Sequence, residues 1–157
     1  MPDTSLTLSN GNTVRILTSG KQTGGKLTVI DYVDRTTGNP PPFTRHEFIE
    51  VFTVLEGKLA FQYQGEDPFV VTAGISETVA AGRSHTFWNP AEEPLHILLA
   101  CTPAGLDSFF QDIHLEMDQL NNSAADDSQR TECMARLRVR YGIEETAPAP
   151  DIKEFNL

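Results

Sequence analysis

Cysteine, positive charge and long apolar runs are all scarce in this chain of 157 residues. Its two cysteines, Cys101 and Cys133, lie far apart and in no spacing typical of a metal site, so we expect two reduced thiols. No apolar run reaches the length of about 18 residues that a transmembrane helix needs. The first five residues hold neither a basic segment nor an apolar core, so no secretory signal is expected and the protein is predicted to be cytoplasmic.

The charge balance argues against polyanionic partners. Twelve Lys and Arg residues stand against 22 Asp and Glu residues, which gives a net charge of −10. A phosphate backbone requires clustered positive charge, and the one basic cluster is Arg136, Arg138 and Arg140 near the C-terminus. We interpret that cluster as the solvated face of a helix. Neither nucleic acid nor a membrane is therefore expected as a partner.

Most of the chain reads as short β-strands divided by turn residues. Its length suits one domain with a single substantial core. Strands at close spacing without intervening helices indicate an all-β sandwich or barrel. The predicted strands cover residues 26–33, 50–55, 58–63, 69–72, 77–80, 85–88 and 95–102.

The pattern changes after Pro103. Apolar residues from Leu106 to Leu120 recur at helical spacing, and a second helix is predicted over residues 126–141, where Gly142 ends it. The remaining tail is expected to be extended. We accordingly divide the chain into residues 1–120, with the barrel and first helix, and residues 121–157, a helical and extended segment that packs on the barrel or on a partner subunit.

Two stretches resemble the two halves of the signature of the cupin superfamily. In the first, Gly57 follows Glu50 after six intervening residues, as the first cupin motif requires. In the second, Gly74, Gly82 and His85 stand at the spacing of the second motif and continue to a final asparagine. The resemblance, closest to small quercetinase-like single-domain cupins, implies a jelly-roll barrel (a double-stranded β-helix) with C-terminal helices packed outside, and a homodimer.

Cupins of this type bind a metal through two histidines in a His-x-His pair, a glutamate and a later histidine. Neutral imidazoles with one carboxylate suit a first-row metal and leave positions open for a substrate. The resemblance assigns the glutamate to Glu50 and the later histidine to His85. The His-x-His pair is damaged.

Counting back from Glu50 gives two registers for that pair. A four-residue gap places the histidine positions at Phe43 and Arg45, so both ligands are lost. A three-residue gap places them at Thr44 and His46, so one is kept. The sequence leaves both registers open.

Strand alternation predicts the pocket. Every second residue along a strand lies on the same face. Phe52 and Val54 should therefore point inward with Glu50, and Phe87 should point inward with His85. An apolar lining favours an apolar or aromatic small molecule. Asp31 either shares this inward face or is solvated. Phe43 is expected to close the mouth of the pocket. The residues assigned to substrate binding are Phe43, Phe52, Val54, Phe87 and Asp31.

Three functions follow, and we favour a metal-independent isomerase, cyclase or lyase acting on an apolar or aromatic enolisable metabolite, with no cofactor. In it, Arg45 orients an anionic group while Glu50 and His85 move protons, a role that suits histidine because its ordinary pKa is about 6.5. The first alternative is an Fe(II)- or Mn(II)-dependent dioxygenase, similar to quercetinases, with His46, Glu50 and His85 as ligands. The second is a non-catalytic cupin that binds a small ligand.

Overall fold

The computed structural model describes residues 5–152. In this part of the chain, ten strands come first, two helices follow, and an eleventh strand ends the described fold. The elements are β1 (Ser5–Thr7), β2 (Thr13–Thr18), β3 (Thr28–Asp34), β4 (Phe43–Arg45), β5 (Ile49–Glu56), β6 (Lys58–Tyr63), β7 (Phe69–Thr72), β8 (Ser76–Val79), β9 (His85–Trp88), β10 (Leu95–Thr102), α1 (Leu106–Asn122), α2 (Asp127–Arg140) and β11 (Glu144–Ala147).

The strands form two antiparallel sheets. The first has six strands in the order β1-β2-β3-β10-β5-β8, and the second has five in the order β11-β4-β9-β6-β7. From β3 to β6 the chain changes sheet at every step, so neighbours in sequence lie in opposite layers. This arrangement confirms the predicted jelly-roll barrel with C-terminal helices, and the predicted strands agree with the observed ones to within two residues at either end.

Strand β5 shows why these residues form a barrel wall. Glu50, Phe52 and Val54 are buried, whereas the residues between them are half-buried, so one face of the strand points to the interior. Gly57 then turns the chain into β6 with a φ of 82°. A Cβ at this position would lie 2.8 Å from the carbonyl oxygen of Pro94, so the hairpin requires glycine both for its backbone angle and for its close approach.

Both helices share the core of the barrel. One hydrophobic cluster includes Phe52 and Leu99 from the six-stranded sheet, Phe61 from the five-stranded sheet, Ile113 from α1 and Leu137 from α2. Leu137 is completely buried. The second helix, which belongs to the predicted segment 121–157, is therefore packed against the same apolar interior as the strands.

A buried carboxylate fixes the start of α1. Asp107 in the first turn accepts hydrogen bonds from the Thr28 hydroxyl at 2.7 Å and from the Gly20 backbone N–H at 2.9 Å. Negative charge near a helix N-terminus is favourable because the N–H groups of the first turn point toward it. The helix predicted from apolar spacing is thus confirmed. The hydrogen bond between Asp107 and Thr28 joins its first turn to β3.

Clear signals in the sequence bound α2. Asp126 and Gln129 form a capping box at its start, each side chain accepting a hydrogen bond from the other's backbone N–H. At its end Gly142 adopts a φ of 68°, and Ile143 donates its backbone N–H to the carbonyl of Arg138 at 2.9 Å. This Schellman-type ending directs the chain into β11, which pairs with β4.

Two further expectations concern the thiols and the helices. Cys101 and Cys133 are free and buried, and burial raises the pKa of both thiols. Within residues 5–152, neither helix combines the length and the apolar character needed to cross a membrane.

Candidate functional site

Two histidines and a glutamate converge inside the barrel. Nε2 of His46 lies 3.1 Å from Oε2 of Glu50, and Nε2 of His85 lies 3.6 Å from the same oxygen. The three side chains are buried, with total exposures of 4%, 6% and 3% for His46, Glu50 and His85. Glu50 comes from β5 and His85 from β9, whereas His46 follows β4 directly. The site thus joins both sheets.

Backbone carbonyls set the orientation of both imidazoles. Nδ1 of His46 lies 2.9 Å from the carbonyl oxygen of Phe48, and Nδ1 of His85 lies 3.0 Å from that of Arg83. A carbonyl oxygen only accepts, so each Nδ1 carries the proton and donates it. In the neutral ring, Nε2 then presents its lone pair to the Glu50 carboxylate. Three potential donor atoms to a cation therefore face one point.

Aromatic rings hold the histidines in place. The ring of Phe48 stacks on that of His46, with centroids 3.6 Å apart and planes 2° from parallel. Phe61 lies parallel to the His85 ring at 5.6 Å, and Phe52 meets it edge-on at 6.1 Å. Tight aromatic packing restricts ring rotation, so the lone pairs keep their direction.

The charge state of Glu50 reflects two opposing effects. Burial raises the pKa of this carboxyl, but the hydrogen bonds and charges that His46 and His85 supply when protonated outweigh it. The pKa of Glu50 is held below its ordinary value of 4.5, and the carboxylate is ionised near neutral pH.

The cluster opens into a cavity of about 430 Å³. The barrel supplies one part of its wall, including Thr44, Phe87 and Leu99, and the helices supply another part. This volume suits a small molecule rather than a polymer. The helical part of the wall consists of Leu106, Phe109, Phe110, Ile113, Met117, Met134 and Arg138.

Outside the cluster, the polar residues of the cavity lining are Ser9, Asn10, Tyr32, Thr44, Thr86 and Arg138. The hydroxyl of Tyr32 accepts a hydrogen bond from Asn12 at 2.9 Å, and burial raises its pKa, so it is neutral. Thr44 lines the wall beside His85, its partner in the β4–β9 register. Among the described lining residues, Glu50 is the one carboxylate and Arg138 the one permanent cation.

The structure decides between the two registers. Thr44 and His46 face the site, as the three-residue gap requires, and Thr44 stands at the position of the first histidine of the pair. The expectation that Arg45 joins Glu50 and His85 is wrong. Its side chain is 50% exposed and donates a hydrogen bond through Nε to Glu144 of β11 at 2.7 Å.

Strand alternation was right for the strands that carry the cluster. Phe87 lines the cavity, and Phe52 and Val54 point inward with Glu50. In the described chain, however, Phe52, Val54 and Phe43 are buried in packing and do not form the cavity wall. Phe52 supports it from behind, with its ring centroid 4.8 Å from that of Phe87.

Asp31 lies on the other face of β3. The buried residues of that strand are Thr28, Ile30, Tyr32 and Asp34, so Asp31 points to the opposite face, away from the cavity. There it accepts a hydrogen bond from Arg15 at 2.6 Å and lies 2.6 Å from Nε2 of His96. Its assignment to the substrate pocket is therefore wrong, and with its side chain 13% exposed it is paired rather than solvated.

Sequence reasoning missed the helical wall. The apolar face of α1 was correctly predicted as a packing face, but the same face also borders the cavity. Arg138 was interpreted as a solvated residue, whereas its side chain is 21% exposed and reaches the cavity wall. Helical periodicity identifies an apolar face without saying what it covers.

The donor set fits a divalent first-row metal. The ligand atoms of His46, Glu50 and His85 all lie within 4.8 Å of one another. Atoms that share one metal at about 2.1 Å stand roughly 3 to 3.5 Å apart, close to the two distances to Glu50. Both histidines also donate Nδ1–H to a carbonyl, the arrangement usual for metal-ligating histidines.

Comparison with known proteins supports this fold. Residues 34–101 match the family model "Cupin_2: Cupin domain". An RmlC-like cupin from Shewanella frigidimarina NCIMB 400 is 20% identical, with a TM-score of 0.56 over 68% of this chain and 89% of that one. The Cupin_2 domain of an XRE family transcriptional regulator from Enterobacter cloacae is 22% identical, with a TM-score of 0.50 over 58% of this chain and 95% of that one.

A third similar structure is matched over less than half of its own length. The DMSP lyase DddQ from Ruegeria pomeroyi DSS-3 is 20% identical, with a TM-score of 0.44 over 50% of this chain and 39% of that one. This chain therefore spans about two fifths of the length of that lyase. No curated protein significantly matches the present chain. The family match over residues 34–101 and the similar barrels together support a small protein of the cupin type.

Proposed function

We propose that this protein is a metal-dependent small-molecule enzyme, an oxygenase that holds Fe(II) or Mn(II) through His46, Glu50 and His85. The observation that carries the proposal is the direction of the two imidazoles. Because both Nδ1 atoms donate to backbone carbonyls, both Nε2 atoms turn toward the Glu50 carboxylate. Two histidines and one carboxylate with open positions are the donor set typical of non-haem Fe(II) oxygenases.

Electrostatics supports a cation at this point. Neutral imidazoles would direct lone pairs at a carboxylate oxygen, which is unfavourable in a buried site. Protonating one ring pairs that ring with the carboxylate but leaves the lone pair of the other ring directed at it, and protonating both rings would bury two positive charges beside one negative charge. A divalent ion that accepts all three donor atoms removes the conflict.

The lining also favours an oxygenase over proton-transfer chemistry. Apart from the three proposed ligands, the described cavity lining contains no carboxylate and no histidine, so no separate protein base is at hand. The metal, when bound, would supply open coordination positions and bring a substrate oxygen and dioxygen together. The chain's own part is to bind the apolar body of the substrate against Phe48, Phe87 and the helical wall, which keeps water out.

A metal-independent lyase or isomerase is the second candidate. One observation favours it: the 3.1 Å between Nε2 of His46 and Oε2 of Glu50 is also a hydrogen-bond distance. A protonated His46 paired with this carboxylate would be an acid–base pair inside an apolar cavity. The group expected to orient the substrate anion, Arg45, lies outside, which weakens this candidate.

Metal analysis of anaerobically purified protein tests the proposal. We expect about one iron or manganese per chain, and we expect His85→Gln to remove the metal while the circular dichroism spectrum stays unchanged. His96→Gln is the matched control, because His96 lies on β10 and contacts Asp31 outside the cavity. Oxygen uptake with a panel of flavonols, catechols and aromatic carboxylates should rise above background only in the metal-loaded protein.

Two results would contradict the proposal. One is wild-type protein that neither carries metal nor binds Fe(II) or Mn(II) in calorimetric titration. The other is metal-loaded protein that consumes no oxygen with any compound of the panel, while metal-free protein converts an enolisable substrate. That second result would establish the acid–base candidate instead.

A further inference from the structure

Arg138 brings a permanent positive charge to the wall of a largely apolar cavity. It lies in the last turn of α2, directly after the fully buried Leu137. Its backbone carbonyl accepts the N–H of Ile143 at 2.9 Å, so the helix ending fixes the residue's position. The side chain is 21% exposed. This arginine is therefore held at the cavity and is not a free surface residue.

The partner of Arg138 leaves part of its guanidinium available. Among the hydrogen bonds of the described residues, the side chain makes one, from Nη1 to Oε2 of Glu145 on β11 at 3.2 Å. Glu145 is 51% exposed, so this ion pair is partly in solvent and weak. A guanidinium has five N–H donors in a planar fork. A second carboxylate entering from the cavity side could therefore be bound without breaking the existing pair.

The charges around the cavity favour an anion although the chain as a whole carries −10. The one carboxylate of the lining, Glu50, is already matched by the two histidines and, in the proposed function, by a divalent ion. An incoming anion would meet Arg138 and no unmatched negative charge on the wall. The other arginines of α2 have different partners, since Arg136 and Arg140 pair with acidic residues of α1 and Arg130 pairs with Asp127.

We propose that the cavity selects substrates carrying a carboxylate on an apolar, aromatic body, and that Arg138 binds this carboxylate. Arginine pairs with carboxylates through two parallel N–H···O bonds, which fixes orientation as well as affinity. The aromatic body would lie against Phe87 and the α1 face, with the reacting part directed to the histidine cluster. The inference rests on the proposed function only in treating the histidine cluster as the place of reaction. The binding of the carboxylate by Arg138 does not depend on the metal.

Calorimetry with a matched pair of probes tests the inference. The probes are 3-phenylpropanoate, an anion, and 3-phenylpropanamide, its neutral counterpart of the same shape. We expect wild-type protein to bind the anion about tenfold more tightly than the amide, since a hydrogen bond to a charged group contributes about 1.5 kcal/mol or more. Arg138→Gln should abolish this preference and leave amide binding unchanged.

Two variants serve as controls. Arg136→Gln makes the same charge change on the same helix, but Arg136 is 57% exposed and contacts Glu116 away from the cavity, so the preference should persist. Glu145→Gln removes the competing carboxylate and should strengthen anion binding. Opposite effects of the two substitutions at 138 and 145 are the signature of a binding role, because simple disruption of their ion pair would change affinity in the same direction.

Several outcomes would overturn the inference: equal affinities for the two probes, no binding of either probe, or equal effects of Arg138→Gln and Arg136→Gln. Repeating the titrations after chelator treatment separates this inference from the proposed function. If the anion preference survives Arg138→Gln but disappears with the metal, the carboxylate binds the metal and the role of Arg138 is wrong. If no metal is found but the Arg138-dependent preference remains, the proposed function fails and the inference stands.

Discussion

Thr44 on β4 lies directly opposite His85 on β9 in the five-stranded sheet. Directly paired residues of an antiparallel sheet have Cβ atoms about 5 Å apart and project to the same face. Thr44 lines the cavity, so it stands next to a proposed metal ligand without being one. By the register counted from Glu50, this is the place of the missing first histidine.

Thr44→His should therefore add a fourth donor to the proposed metal site. We expect tighter binding of Mn(II) or Fe(II), by about tenfold or more, because losing even an outer hydrogen-bond partner of a metal ligand typically costs about 10- to 100-fold in affinity and the added imidazole would bond the metal directly. Competition with a chelator of known affinity measures the change.

Arg45→His is the matched control for that substitution. It adds a histidine one position along, but the side chain at 45 points outward to Glu144, so metal affinity should not change. Equal gains from both variants, or a gain from Arg45→His alone, would contradict the assigned register.

Glu50 and His85 could be predicted from sequence because local rules place them. Each lies in a strand, and the motif spacing together with strand alternation determines the face to which it points. The cavity face of Phe87 follows from the same alternation. These predictions needed no knowledge of distant parts of the chain.

The register at Thr44 and His46 could not be decided in this way. Strand β4 has three residues and His46 lies just beyond its end, and no strand was predicted there whose alternation would show which residues point inward. What turns Arg45 outward is its pairing with Glu144 in β11, far along the chain. A contact of this kind leaves no periodic signal in the sequence.

The helical wall was missed for a related reason. The periodicity of α1 predicts an apolar face, and that face is buried, but whether it meets strands or borders a cavity depends on how the helix lies on the barrel. Arg138 looked solvated beside two other arginines, and only the course of α2 brings it to the cavity. Asp31 was misplaced because an alternating strand gives two faces without saying which one is inner.

Leu137→Ala should destabilise the whole domain, because α2 shares the core of the barrel. Leu137 is completely buried, and truncating a buried leucine costs about 2 to 5 kcal/mol. Val139→Ala is the control on the same helix: Val139 is 79% exposed, and its truncation should change the free energy of unfolding by less than about 0.5 kcal/mol. Urea unfolding followed by circular dichroism measures both. Equal losses would mean that α2 does not pack as described.

Gly57→Ala should reduce stability more than Gly65→Ala. Both glycines have nearly the same φ, 82° and 83°, so both alanines incur a similar backbone strain of about 1 to 2 kcal/mol. An added Cβ at Gly57 would also lie 2.8 Å from the Pro94 carbonyl oxygen, whereas at Gly65 it meets no atom within 4 Å. The excess loss for Gly57, measured as the difference between the two midpoints of thermal unfolding, reports this steric contact. No excess would show that the β5–β6 hairpin can shift.

The ion pairs between the helices should make stability depend on pH. Glu116 of α1 contacts Arg136 and Arg140 of α2, and the hydrogen bond from Arg136 is the main cause that lowers the pKa of this carboxyl below its ordinary value of 4.5. A carboxyl whose pKa is lower in the folded state stabilises the fold above its unfolded pKa and loses this effect as pH falls through the folded pKa. Glu116→Gln should thus be less stable than wild type at pH 7, and the difference should shrink between about pH 4.5 and pH 3. Urea unfolding at pH 7, 5 and 3 measures it, with Glu132→Gln on α2, outside these ion pairs, as the control. A difference that stays constant over this range would show that the charge of Glu116 does not join the two helices.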